Sequence, residues 1–195
     1  EVCMRRTKQG VEEVFTRNLS YFSRKMNAQE YQRQSLVEVH RRGVENARVI
    51  AAIMDGAEWE QGLVDFHCPR AIRVLDFAHA VEHLSAIAES LYGEHTPQSQ
   101  AWLSEHSHRL KHEGPEGLLR ELTRLQRKYP PSQVLTSNLA YLKKRKDQMR
   151  YPLFQALGWP IGSGIVESGN KLVVEARLKG SGMHWERTHV DPMLA

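Results

Sequence analysis

Two cysteines in 195 residues, Cys3 and Cys68, are too few for a disulfide framework and point to a reducing, cytoplasmic setting. No apolar run approaches the length of a membrane span, and the first residues lack a signal-peptide pattern. The phosphate-cradling loops are missing too. The glycines around Gly162 do not follow a strand at the required spacing and have no Lys-Ser/Thr ending, which removes the Walker and dinucleotide fingerprints. Neither an internal repeat nor a low-complexity segment is present, so the chain is neither a solenoid nor a tether.

What is there is a globular composition, 41% hydrophobic and 26% charged, on a chain long enough for one domain with a substantial core or one domain with an insertion. The formal net charge of +4, with pI ≈ 9.1 and ten histidines, favours an anionic partner such as nucleic acid. Val2-Cys3-Met4 reads as strand from the start, so the chain is expected to begin inside a fold that has lost residues at its front. At the other end, Val190 to Ala195 stops with no cap or tail, so truncation is expected there too.

Strands are predicted over 1–6 and 11–17, joined by the turn Lys8-Gln9-Gly10 as an antiparallel hairpin. From about Ala28 to Asn46, Tyr31, Leu36, Val37, His40 and Val44 outline one face of an amphipathic helix. The run Arg48 to Met54 has the profile of a strand buried on both faces, with Asp55 at its carboxyl end. A second short strand, Ala71 to Leu75, ends at Asp76. Acids at the carboxyl ends of successive strands suit a functional site in an open α/β sheet, although either can also cap the helix that follows.

Helical spacing resumes from Phe77 to Tyr92 and continues in pieces over 98–157, broken at Gly114-Pro115 and Pro130-Pro131. The basic run Lys143-Lys144-Arg145-Lys146 lies here and could follow a phosphate backbone or simply form a solvated face. After the Gly162-Ser163-Gly164 loop, Ile165, Leu172, Val173 and Ala176 predict a helix with Glu167 in its first turn. Gly180 and Gly182 stop it beyond Arg177 and Lys179, cations suited to its negative end. On spacing alone Glu167 makes a surface pair with Lys171.

Three chemistries fit these residues. Asp55 and Glu167 could be metal-binding carboxylates for phosphoryl transfer. His79-Ala-Val-Glu82-His83 fits the H-x-x-E-H pattern of inverted zinc metallopeptidases. Trp159 and Trp185 bracket the Glu167 helix and could stack on bases, or pack in a core. Cys68 beside His67 has nothing else marking a thiolate site.

Five blocks in order, Leu19 to Arg24, Asp55-Gly-Ala-Glu-Trp59, Val74 to Leu84, Met149 to Phe154 and Ile161 to Lys171, together with Arg177 to Trp185, resemble the DDE transposases of bacterial insertion sequences, of the Mutator-like kind. The resemblance implies a ribonuclease H-like α/β core, partial because its first strand is missing, over 1–79, with a helical insertion over 80–157 and a return to the core over 158–195. It implies that three acids bind two divalent ions, Mg2+ or Mn2+, and cut and join DNA at transposon ends, in a homo-oligomer when the protein is intact. Asp55 then matches the second acid and Glu167 the third, both as metal ligands, with Asp76 and His79 supporting the site. An alternative alignment makes Asp76 the second acid. Lys143, Lys144, Arg145, Arg177, Lys179 and Trp159 are the expected DNA contacts. No residue matches the first acid, so the chain as given is expected to be inactive, whether as a transposase fragment or as a non-catalytic DNA-binding remnant.

Overall fold

The computed structural model describes residues 1–7, 9–10, 12–128, 132–179, 184, 186 and 189–194. Lys8, Val11, Pro130, Pro131, Gly180, Gly182 and Trp185, and the side chains of Ile165 and Leu172, lie outside the described residues, and with them the expectations they carried. The fold is mixed α/β and mostly helical, with two separate two-stranded sheets.

Strands β1 (Val2–Arg6) and β2 (Glu12–Thr16) form an antiparallel hairpin with Val2 opposite Thr16 and Arg6 opposite Glu12. Gly10 sits in its connection at φ +80°, a conformation that favours glycine. Helix α1 (Ala28–Arg41) starts where Asn27 accepts from the Glu30 amide at 2.9 Å. A 3-10 turn, Val44–Asn46, leads to β3 (Ala51–Met54), α2 (Glu58–His67) and β4 (Ile72–Leu75). Helices α3 (Phe77–Tyr92), α4 (Pro97–Glu113), α5 (Pro115–Lys128), α6 (Gln133–Lys144) and α7 (Tyr151–Ala156) follow, with a 3-10 turn at Lys146–Met149. Next come α8 (Gly164–Gly169), a π-helical segment Asn170–Glu175, α9 (Ala176–Leu178) and α10 (Val190–Leu194).

The chain divides into two compact units. One comprises 1–50, 57–71 and 163–195; the other comprises 51–56 and 72–162. The second unit holds the continuous core. Val74 and Leu75 of β4 pack with Leu84 and Ile87 of α3, Leu110 of α4, Leu118 and Leu122 of α5, Leu139 and Leu142 of α6, and Tyr151, all of them buried. These positions recur at three- and four-residue spacing, so each helix turns an apolar stripe inward. Burial of this kind yields roughly 1.5–3 kcal/mol per large side chain, which holds β3 and β4 onto a helical layer.

Two expectations change. The run from Arg48 is not a strand buried on both faces: only its last four residues pair, in parallel with β4, and Val49 stays 54% exposed. Among the described residues β3 has one strand neighbour, so it lacks the flanking strands that would seal it. Helix α1 forms, but its predicted apolar face is not the buried one. Leu36 and Val37 are 50% and 64% exposed, whereas Ser35 is buried and meets His67 Nε2 of α2 at 2.9 Å.

Candidate functional site at the strand ends

Parallel pairing sets Met54 opposite Leu75, so the chain leaves both strands at the same edge, at Asp55 and Asp76. The Asp76 amide donates to the Met54 carbonyl at 2.8 Å, extending the ladder by one bond and holding the two acids at adjacent register positions. Their environments differ. Asp55 is exposed, while Asp76 is 6% exposed and caps α3, its Oδ1 accepting from the Ala78 amide at 2.7 Å and the His79 amide at 3.3 Å. Capping by Asp76 is therefore real. The residue before α2 is Ala57, which makes no side-chain cap bond of its own.

The α6 region clasps both strand ends. Tyr141 donates its hydroxyl to the Asp55 carbonyl at 2.5 Å, and Arg145 donates from Nε at 2.8 Å and from Nη2 to the Gly56 carbonyl. Arg145 also lies over the Tyr141 ring, 4.1 Å from its centroid. Gly56 has φ +86°, and a Cβ there would run into the Tyr141 hydroxyl and Arg145 Nε. Glycine is thus required twice over, for the backbone angle and for the close approach. At the other strand, the buried Tyr151 hydroxyl donates to the Leu75 carbonyl at 3.0 Å. Burial, reinforced by the nearby Asp76 charge, pushes the Tyr151 phenol up, so it remains a proton donor.

On α3, the His83 ring stacks on Tyr141 at 3.9 Å, and its Nδ1 lies 2.6 Å from Asn138 Oδ1. Since that amide oxygen only accepts, Nδ1 carries the proton. Nε2 is then a lone-pair nitrogen, buried and, among the described residues, without a hydrogen-bond partner. Burial lowers the His83 pKa, favouring the neutral ring. His79 Nδ1 faces Glu82 Oε2 at 3.1 Å, and the two histidine rings meet edge to face at 5.1 Å. Among the described residues, no three His, Cys, Asp or Glu side chains converge as metal ligands would.

The remaining predicted residues are dispersed. Lys143 and Lys144 are exposed, but Arg145 is 4% exposed with its guanidinium committed to Gly56. Of the three basic residues expected to contact DNA in this run, Arg145 is therefore the one turned inward. Trp159 is half-buried, 6.0 Å from Phe154 in a stacked pair at the edge of the core. Glu167, Arg177 and Lys179 belong to the other unit. There Lys171 Nζ donates to Glu167 Oε1 at 2.8 Å, with both side chains exposed. Arg177 Nη1 donates to the Met193 carbonyl at 3.2 Å, and Lys179 pairs with Glu175 at 2.8 Å.

Asn138 and Tyr141 have no place in the sequence-based site, and Arg145 enters it only as a DNA contact within a basic run. Their spacing of three and four marks one face of α6, a signal that the adjacent lysines obscured. The chain matches no protein-family model, no curated protein and no solved structure.

Proposed function

We propose that the chain is part of a DDE-type transposase catalytic domain, with Asp55 and Glu167 as two of its metal-binding carboxylates and DNA as its substrate. The observation that carries this reading is the parallel β3–β4 pair, whose two carboxyl ends open directly into Asp55 and Asp76. Functional groups gather at such ends in open α/β sheets. The finer architecture that belongs with the reading is a partial ribonuclease H-like core, in which residues 80–157 are the helical insertion and the helix beginning at Gly164 brings the last acid.

The division of labour between the two aspartates supports Asp55 as the ligand. Its carboxylate is exposed, while its carbonyl and that of Gly56 are held by Tyr141 and Arg145. Asp76 has an oxygen engaged by two amides, which suits a positioning role at the start of α3. Exposed carboxylates fit Mg2+ or Mn2+ in kind, since both ions take oxygen donors. They fall short in number, because the residues given offer two of the three acids that the resemblance calls for. Such ions, when bound, activate an attacking oxygen and stabilise a leaving one in phosphodiester cleavage. The 195-residue chain is therefore expected to bind a metal ion weakly and not to cut DNA, whereas a site holding all three acids would serve to cleave a strand and transfer its 3′ end.

Manganese titration followed by electron paramagnetic resonance tests the reading. Weak binding that Asp55→Asn and Glu167→Gln each diminish supports it. Binding unchanged in both variants would overturn it, as would stoichiometric zinc lost on changing His79 and His83, the outcome that a zinc peptidase requires.

A further inference from the structure

Away from the strand ends, α5, α6 and the 3-10 turn after it enclose an open concavity of about 460 Å3 lined by Arg120, Arg124, Arg127, Lys143 and Lys146, with Glu116 as its one acid. We infer that this concavity is a docking surface for the sugar–phosphate backbone of duplex DNA, read without regard to base sequence. The choice of DNA rests on the function proposed above.

The charge arrangement carries the inference. Arg120, Arg124 and Arg127 follow one another by four and three residues, so they share one face of α5. At 1.5 Å per residue they span roughly 10 Å of helix, a length that matches about three phosphates of one strand along a duplex axis. Lys143 and Lys146 come from the facing element, so cations border the concavity on two sides. Glu116 is occupied by Lys146 at 3.7 Å, and no salt bridge among the described residues involves Arg120, Arg124, Arg127 or Lys143. Five cations around one acid repel one another, an arrangement that an incoming polyanion relieves.

The base of the surface is packed. Leu118, Leu119 and Leu122 of α5 and Leu139 and Leu142 of α6 are buried beneath it. Among the described residues its lining holds no aromatic side chain, so it has no stacking platform for a base. The Thr123 hydroxyl is already given to the Leu119 carbonyl at 2.7 Å. What remains on offer is positive charge, the chemistry of backbone contact.

The test is fluorescence anisotropy of the full 195-residue chain with a labelled duplex of arbitrary sequence, in EDTA, over a series of KCl concentrations. Each phosphate contact adds about 0.9 to the log–log salt slope, so Arg120→Gln/Arg124→Gln/Lys143→Gln should lower the slope by about 2 to 3. Arg5→Gln/Arg6→Gln, in the other unit, should leave it near the parent value. Arg120→Lys/Arg124→Lys should restore the binding, and circular dichroism establishes that each variant is folded. An unchanged slope in the triple variant overturns the inference, and so does tighter binding of a single-stranded RNA of equal length. Because EDTA removes the divalent ion, loss of metal binding at Asp55 and Glu167 would leave this result standing, and an unchanged slope would leave the metal site standing.

Discussion

The Tyr141 hydroxyl donates to the main-chain carbonyl of Asp55 across 86 residues of sequence, at 2.5 Å. The contact lets α6 set the direction in which β3 releases its terminal acid. Arg145, one turn further on, does the same for Gly56 with two N–H donors. Removing the two donors should have unequal consequences. Tyr141→Phe loses the hydroxyl that donates to the Asp55 carbonyl from a half-buried ring and should cost about 1 kcal/mol. Arg145→Met leaves a buried carbonyl without its charged partner and should cost about 2–3 kcal/mol. Urea denaturation measures both, and equal losses would contradict the clasp.

Gly56 offers a sharper test, because its Cβ-free backbone lies against that clasp. Gly56→Ala adds a methyl group at φ +86° and drives it into Tyr141 and Arg145. The left-handed conformation alone costs about 1 kcal/mol, and displacing two hydrogen-bonded side chains should bring the total above about 2 kcal/mol. Gly10→Ala, at φ +80° with nothing within 4 Å, should show the backbone cost only. Thermal unfolding of the two variants separates collision from conformation.

Asp55 and Asp76 should respond unequally to the same change. Asp76→Ala removes the cap of α3 and should destabilise the fold by about 1 kcal/mol. Asp55→Ala removes an exposed carboxylate and should cost less than Asp76→Ala. Manganese binding should reverse the order, falling with Asp55→Ala and surviving Asp76→Ala. If Asp76→Ala abolishes binding in a folded protein, Asp76 is the metal ligand instead.

The elements that could be read from sequence are those specified locally. The hairpin has its turn glycine, α3 has its capping acid and apolar spacing, and β3 and β4 each run into an aspartate. Harder to read was anything decided by a partner far along the chain. Arg145 looks like one of four consecutive cations, yet a carbonyl 89 positions earlier draws it inside. Leu36 and Val37 look like a buried stripe, yet Ser35 is the residue turned inward, toward a histidine 32 positions later. The β3 run looked sealed because its apolar composition cannot report how many strands flank it.

Acid should weaken the fold in two stages, each with its own group. His83, packed among Tyr141, Asn138, His79, Glu82 and Arg145, has its pKa lowered by burial. Its folded-state pKa lies below the unfolded value of about 6.5, so the unfolded chain takes up the proton first. The stability tied to the neutral ring is complete above about 6.5 and is lost as pH falls toward the folded pKa. Glu121 acts lower down. Burial would raise its pKa, but hydrogen bonds from His106 at 2.9 Å and Arg109 at 2.7 Å outweigh burial and hold the carboxyl below its ordinary range. Its contribution is complete above the ordinary carboxylate range and disappears as pH drops through the depressed value. His83→Gln should therefore flatten the decline between pH 7 and 5 and leave the acid limb unchanged. Glu121→Gln should soften the limb below about pH 4.5 while lowering stability at neutral pH. Urea midpoints measured at half-unit steps from pH 8 to 3 would resolve the two stages, and a His83→Gln profile parallel to that of the parent would contradict the first.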